Sequence, residues 1–143
     1  MKRLLIVVGV AACTSSGSGG PEVTLVELDN EGVVCLHADM GAFVAEQPIE
    51  VAVDWEMCLS GSCTAERTTS CSTTVVGSTV TIDTHASWLD TTRTQTACTA
   101  DCNFMMTTCE TPPLAAGEYT FVFDGRSVGV TVPSTVLANP CIR

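Results

Sequence analysis

Along much of this chain, apolar and polar residues alternate with a period of two. The clearest run lies near the C-terminus, where Tyr119, Phe121 and Phe123 alternate with Glu118, Thr120, Val122 and Asp124. Val128, Val130 and Val132 then alternate with Arg126, Ser127, Gly129 and Thr131. Period two with aromatic and β-branched residues predicts two strands, each burying one face. Asp124-Gly125 between them suits a type I′ hairpin turn, in which both central residues need positive φ. Pro133 lacks an amide donor and marks the end of the second strand.

Upstream the same rhythm recurs. Glu22–Leu28 predicts a first strand, closed by the turn Asp29-Asn30-Glu31-Gly32, and Val33–His37 predicts a short second one. In Ile49–Cys58 the residues Ile49, Val51, Val53, Trp55 and Met57 share a face opposite Glu50, Ala52, Asp54 and Glu56. That pattern predicts a strand with a buried apolar face and a charged solvent face, and Trp55 is a natural core residue. Leu59-Ser60-Gly61-Ser62 predicts a turn, and the Thr-rich segment Thr64–Thr74 is placed back against the Ile49–Cys58 strand. Val75-Val76, Gly77-Ser78 and Thr79–Ile82 suggest a further hairpin. From Asp83 to Thr111 the strand signal weakens: Ala86–Leu89 suggests one helical turn, and residues 97–109 hold three cysteines and two adjacent methionines. This stretch is expected to be a long loop fixed by disulfides. The fold class is all-β, an antiparallel β-sandwich stapled by several disulfides.

The first twelve residues break the rhythm. Lys2-Arg3 precedes the apolar run Leu4–Val10, which is shorter than the roughly 20 residues a membrane span needs and suits an export signal. Val10-Ala11-Ala12-Cys13 resembles the lipobox of bacterial lipoproteins, with Val where Leu is usual. The resemblance implies that residues 1–12 are a signal peptide removed on export and that Cys13 becomes the acylated first residue, carrying palmitate-type chains. Thr14–Gly20 is Gly/Ser-rich, the composition of a flexible coil. Residues 13–20 are therefore expected to be a lipid-anchored tether and residues 21–143 one domain. By the family's sorting rule, Thr14 after the Cys leans toward the outer membrane of a Gram-negative cell envelope.

The run Leu114-x-x-Gly117-x-Tyr119 resembles the tyrosine corner of immunoglobulin-like and fibronectin type III-like sandwiches. That resemblance implies a Tyr119 hydroxyl bonded to a backbone group a few residues upstream. It also implies Leu114 packed beneath the corner and a bend at Gly117. Phe121 stands where antibody domains carry a Cys, so any stapling differs from theirs.

The formal net charge of −10 sharpens the picture. Without Lys2 and Arg3, only 4 basic residues face 16 acidic ones. No basic patch exists to neutralise phosphates, so nucleic acid is not an expected partner. The acidic surface favours solubility and can attract cations. The expected membrane association is through the lipid anchor, and the expected partner is a protein of the envelope.

Cys13, once assigned to lipid, leaves Cys35, Cys58, Cys63, Cys71, Cys98, Cys102, Cys109 and Cys141. An even number in an exported chain reads as a disulfide framework. Of about a hundred connectivities, the expected one is Cys58–Cys63, Cys102–Cys109, Cys71–Cys98 and Cys35–Cys141. The competing chemistry is a soft metal site for copper from Cys98, Cys102, Met105, Met106 and Cys109, with His37 or His85. Its spacing departs from the usual paired zinc pattern, and an exporting route favours disulfides, so no metal or cofactor is expected.

No Gly-x-Ser-x-Gly, His-Glu-x-x-His or phosphate-cradling Gly loop is present, and no catalysis is expected. The expected function is that of a membrane-tethered, non-catalytic binding or structural module. Its candidate binding loop lies within 83–111 and includes Trp88, Phe104, Met105 and Met106. The alternatives are copper binding and protease inhibition by a loop stapled between Cys102 and Cys109.

Overall fold

The computed structural model describes residues 22–38, 40–135 and 139–143. The expected signal segment 1–12 and the expected tether 13–20, Cys13 included, lie outside the described residues. The fold is all-β. Its strands are β1 (Thr24–Asp29), β2 (Val33–His37), β3 (Ala42–Phe43), β4 (Glu50–Leu59), β5 (Thr64–Val76), β6 (Thr79–Asp90), β7 (Asn103–Glu110), β8 (Gly117–Phe123), β9 (Arg126–Val132), β10 (Ser134–Thr135) and β11 (Cys141–Ile142).

Two sheets face each other across one core. In the first sheet β6 is the hub. β5 runs antiparallel along the whole of one β6 edge, joined by the two-residue turn Gly77-Ser78. β1 and β8 share the other edge end to end. β1 pairs antiparallel with His85–Asp90, and β8 pairs parallel with Thr79–Thr81. β9 completes this sheet by pairing with β8. The second sheet has the order β11-β2-β4-β7, all antiparallel. β3 and β10 form a small two-stranded ribbon.

The core is built by the alternation already visible in the sequence. Val34 and Leu36 of β2, Val51, Val53 and Trp55 of β4, and Ile142 of β11 point inward from the second sheet. Val80, Ile82, Ala86 and Trp88 of β6, Phe121 and Phe123 of β8, and Val130 and Val132 of β9 meet them from the first. Two buried polar side chains are satisfied. Thr111 Oγ1 accepts from the Ile49 amide at 2.9 Å, and Thr84 Oγ1 donates to the Glu31 carbonyl at 3.2 Å. The second bond, with Thr84 N donating to Asn30 Oδ1 at 3.0 Å, pins the β1–β2 turn onto β6. Gly32 in that turn has φ +112°, and an added Cβ would lie 2.9 Å from the Asp54 carbonyl oxygen. Only glycine suits the position.

The closing hairpin has the predicted turn: Asp124 and Gly125 have φ of 46° and 73°. The Tyr119 hydroxyl donates to the Ala115 carbonyl, four residues upstream, at 3.1 Å, and Leu114 is buried. Tyr119→Phe removes this one bond and leaves the ring in place. The expected loss is about 1 kcal/mol of unfolding free energy, read as a lower denaturant midpoint at unchanged slope. A variant as stable as the parent would show that the hydroxyl contributes nothing.

Three expectations are corrected. Thr64–Thr74 does not pair with the strand of Ile49–Cys58; it pairs with β6. Residues 83–111 are not one long loop, because β6 runs on to Asp90 and β7 occupies Asn103–Glu110. The supposed helical turn Ala86–Leu89 is strand, with Ala86 and Trp88 in the core and Ser87 and Leu89 turned outward. Strand formation there follows from neighbours on both edges rather than from the β propensity of Ala, Ser and Asp.

The four bridges are Cys35–Cys141, Cys58–Cys102, Cys63–Cys98 and Cys71–Cys109. The first is the pair expected from the sequence; the other three differ. The reason is the segment 98–102, which returns alongside the β4–β5 turn. Asp101 accepts from the Gly61 amide at 3.0 Å, and Thr99 N donates to Ser62 Oγ at 2.9 Å. Cys58 and Cys63, at the two ends of that turn, therefore meet the returning chain instead of each other. Cys71 meets Cys109 because β5 and β7 lie side by side where the two sheets meet. Thr73 Oγ1 donates to the Glu110 carbonyl at 2.8 Å there, and Thr69 Oγ1 to the Met106 carbonyl at 3.4 Å.

The Asp101 clasp is sensitive to acid. The Thr99 hydroxyl, then the Gly61 amide, hold the Asp101 carboxyl below its ordinary value of 3.8. A depressed folded-state pKa contributes stability above the unfolded value and loses it as pH falls through the folded one. Below about pH 4 the domain should therefore lose stability, part of it through this carboxylate. Asp101→Asn should make that acid-side decline shallower, measured as unfolding midpoint against pH. An identical decline in the variant would assign the effect elsewhere, for example to Asp90, which the Thr92 hydroxyl and amide also hold low.

Candidate functional site

The predicted binding residues separate by the face of their strands. Trp88 and Met105 are buried in the core at 8% and 3% exposure, so neither is available for binding, contrary to the expectation. Phe104 and Met106, on the opposite face of β7, are 61% and 66% exposed. Successive residues of a strand point to opposite sides, so one apolar tripeptide supplies one core residue and two surface residues.

Register places partners beside Met106. It stands opposite Asp54 of β4, which stands opposite Val33 of β2. In the next outward-facing row Thr108 faces Ala52, Ala52 faces Cys35, and Cys35 is bridged to Cys141. Together these side chains line an open groove on the outer face of the second sheet, with Val33, Cys35, Ala52, Asp54, Met106 and Thr108 among its walls. Its floor is mostly aliphatic and sulfur. The third row is polar: Glu110 faces Glu50, and His37 Nδ1 lies 3.4 Å from Glu50 Oε1.

Asp54 is the one carboxylate in the apolar part of the groove. Its Oδ1 is buried and has no hydrogen-bond partner among the described residues. Glu50, Glu56 and Glu110 are exposed on the same face. The four arginines of the described residues do not line the groove. Arg67 donates to the Ser60 carbonyl at 3.2 Å, and Arg93 lies 3.4 Å from Glu22.

The outer face of the first sheet has a different character. Thr68, Ser70, Ser72 and Thr74 of β5 face Ser87, His85, Asp83 and Thr81 of β6. Thr68 and Ser87 share a hydroxyl–hydroxyl bond of 2.6 Å, and His85 Nδ1 lies 2.8 Å from Asp29 Oδ1. Two of these cross-strand pairs, Thr68 with Ser87 and Thr74 with Thr81, match hydroxyl with hydroxyl, and none of these β5 and β6 residues lines the groove described above.

The sulfurs considered for copper are separated. Cys98, Cys102 and Cys109 are bonded to Cys63, Cys58 and Cys71, and Met105 and Met106 point to opposite sides of β7. Among the described residues no three His, Cys, Asp or Glu side chains converge on a point suited to a metal ion. Cys102 and Cys109 do not close a loop on each other, and most of the interval between them is strand β7. The sequence singled out Phe104 and Met106 but missed Asp54, Val33 and Ala52, because only pairing register brings them together. The one available signal was Asp54 on the charged face of the Ile49–Cys58 strand.

No family model, no curated protein and no solved structure matches this chain.

Proposed function

We propose that this chain is a lipid-tethered protein of the bacterial cell envelope whose all-β domain is a non-catalytic binding module for an envelope protein. The observation that carries this reading is the pair Phe104 and Met106, large apolar side chains displayed beside the groove on a rigid, disulfide-framed strand. Keeping such groups in water is unfavourable, and a contiguous apolar surface rimmed by carboxylates is the character of an interaction site. Four disulfides suit an oxidising compartment outside the cytoplasm. The lipobox-like Val10–Cys13 and the Gly/Ser-rich 14–20 supply an anchor and a spacer: Cys13 takes palmitate-type chains, and the outer membrane is the membrane it is sorted to. The Tyr119–Ala115 bond supports an immunoglobulin-like domain, while the parallel contact of β6 with β8 is its distinctive departure.

The test is a paired capture from envelope extract with the parent protein and with Phe104→Ser/Met106→Ser. Both substitutions are on the surface and leave Cys102 and Met105 in place, unlike a deletion through β7. Loss of one discrete partner in the variant supports the module. An unchanged set of captured proteins removes it. Anchoring is read separately, by palmitate incorporation that Cys13→Ala abolishes.

A further inference from the structure

Resting on the reading of this groove as a binding site, we infer that it receives a cationic side chain, an arginine or lysine flanked by apolar residues on a partner polypeptide, with Asp54 as the counter-charge. Three observations converge. Asp54 lines the groove and its Oδ1 is buried and unpaired among the described residues, a costly arrangement for a carboxylate oxygen that a turn of this side chain toward an incoming N–H would relieve. Most of the walls around it are apolar, with Val33, Cys35, Ala52 and Met106 beside Asp54 and with His37, Thr107 and Thr108 as the polar members. The apolar walls fit the methylene stem of a long cationic side chain, which buries its carbons while its head seeks charge, and methionine adapts its shape to such a stem. Finally, Glu50, Glu56 and Glu110 surround the site on the same face, and no arginine of the described residues lines it. Apart from the His37 imidazole, which lies beside Glu50, the charged groups at the groove are therefore of one sign and draw positive charge.

A negatively charged partner, a nucleic acid or an anionic lipid surface is disfavoured by the same field. A second copy of this chain is a poor occupant too, because each copy, without Lys2 and Arg3, sets 16 acidic residues against 4 basic ones.

The probe is the peptide acetyl-Leu-Arg-Leu-amide, titrated into the folded, fully oxidised domain, with its citrulline counterpart as the uncharged control. Amide and methionine-methyl NMR shifts are followed. The expected result is a saturable change at Val33, Ala52, Met106 and Thr108. The citrulline peptide should bind at least about tenfold more weakly, the scale of one charge-assisted hydrogen bond. Asp54→Asn should cause a similar loss, whereas Asp124→Asn, the same charge change at the distant hairpin turn, should not. Affinity should also fall as salt rises.

Equal binding of the two peptides, or changes centred on another face, would overturn the inference. So would shifts that follow protein concentration alone, which would mean that a second copy fills the groove. The two readings fail separately. If Asp54→Asn still captures the envelope partner that Phe104→Ser/Met106→Ser loses, the cation seat falls and the binding module stands. If the arginine peptide binds as expected but no envelope partner is found, the seat stands and the envelope role falls.

Discussion

Replacing Cys35 and Cys141 together by serine should lower the unfolding free energy by about 4 kcal/mol, the largest effect of any single bridge. The two residues are 106 apart in sequence, and the loop-closure entropy that a bridge removes from the unfolded chain grows with the logarithm of the loop it closes. The three other bridges shorten the path between Cys35 and Cys141. The logarithm limits that correction to about half a kcal/mol. The native contacts at stake are also long-range, since Cys35–Cys141 fastens the two-residue strand β11 onto β2 and keeps Ile142 in the core. Without the bridge, β11 depends on very few backbone hydrogen bonds. The measurement is denaturant unfolding followed by tryptophan fluorescence, with Trp55 and Trp88 as probes. A loss below about 1 kcal/mol would mean that the unfolded chain is already compact, so that the bridge constrains little.

Trp55→Ala should destabilise by about 3–5 kcal/mol. Trp55 is 1% exposed and among the largest fully buried side chains. It lies opposite Met105 in the register of β4 and β7, and its Cδ1 is close to the backbone at Gly32, so the void would open where two strands and a tight turn meet. Trp55→Phe separates packing from polarity. The indole Nε1 is buried with no partner among the described residues, so phenylalanine forfeits some contact area but no hydrogen bond within that set. Its expected cost is at most about half that of alanine. Equal costs for the two variants would overturn this account, in which the cost follows the volume removed.

The sequence was most legible where one face of a strand is buried and the other wet. β2, β4 and the β8–β9 hairpin lie close to where alternation and the Asp124-Gly125 turn place them. Legibility failed where contrast between faces was missing. Phe104-Met105-Met106 is apolar on both sides, because one side meets the core and the other lines the rim of the groove. In β6 the small residues Ala86 and Ser87 conceal a strand whose order comes from neighbours on both edges.

Pairing was less legible still. β1 and β2 are consecutive in the chain but belong to different sheets, and β1 finds β6, a strand more than fifty residues away. The same non-locality hid three of the four disulfide pairings, since Cys58 and Cys63 are neighbours in sequence yet flank a turn that a distant segment covers. The candidate groove suffered for the same reason. Phe104 and Met106 could be suspected from their hydrophobicity, whereas Asp54 becomes notable only when Met106 and Val33 stand on either side of it.

The fastening of β7 along its outer side bears on how these molecules behave when crowded. An uncovered strand edge offers a row of amides and carbonyls on which another chain can add, and strands that add in series make fibres. On β7 two of the outward carbonyls are already taken, by Thr69 and Thr73, and the Cys71–Cys109 bridge lies between them. Another polypeptide approaching that side meets side chains in place of an open ladder. Crowded copies can then display Phe104 and Met106 with this edge closed to strand-by-strand polymerisation.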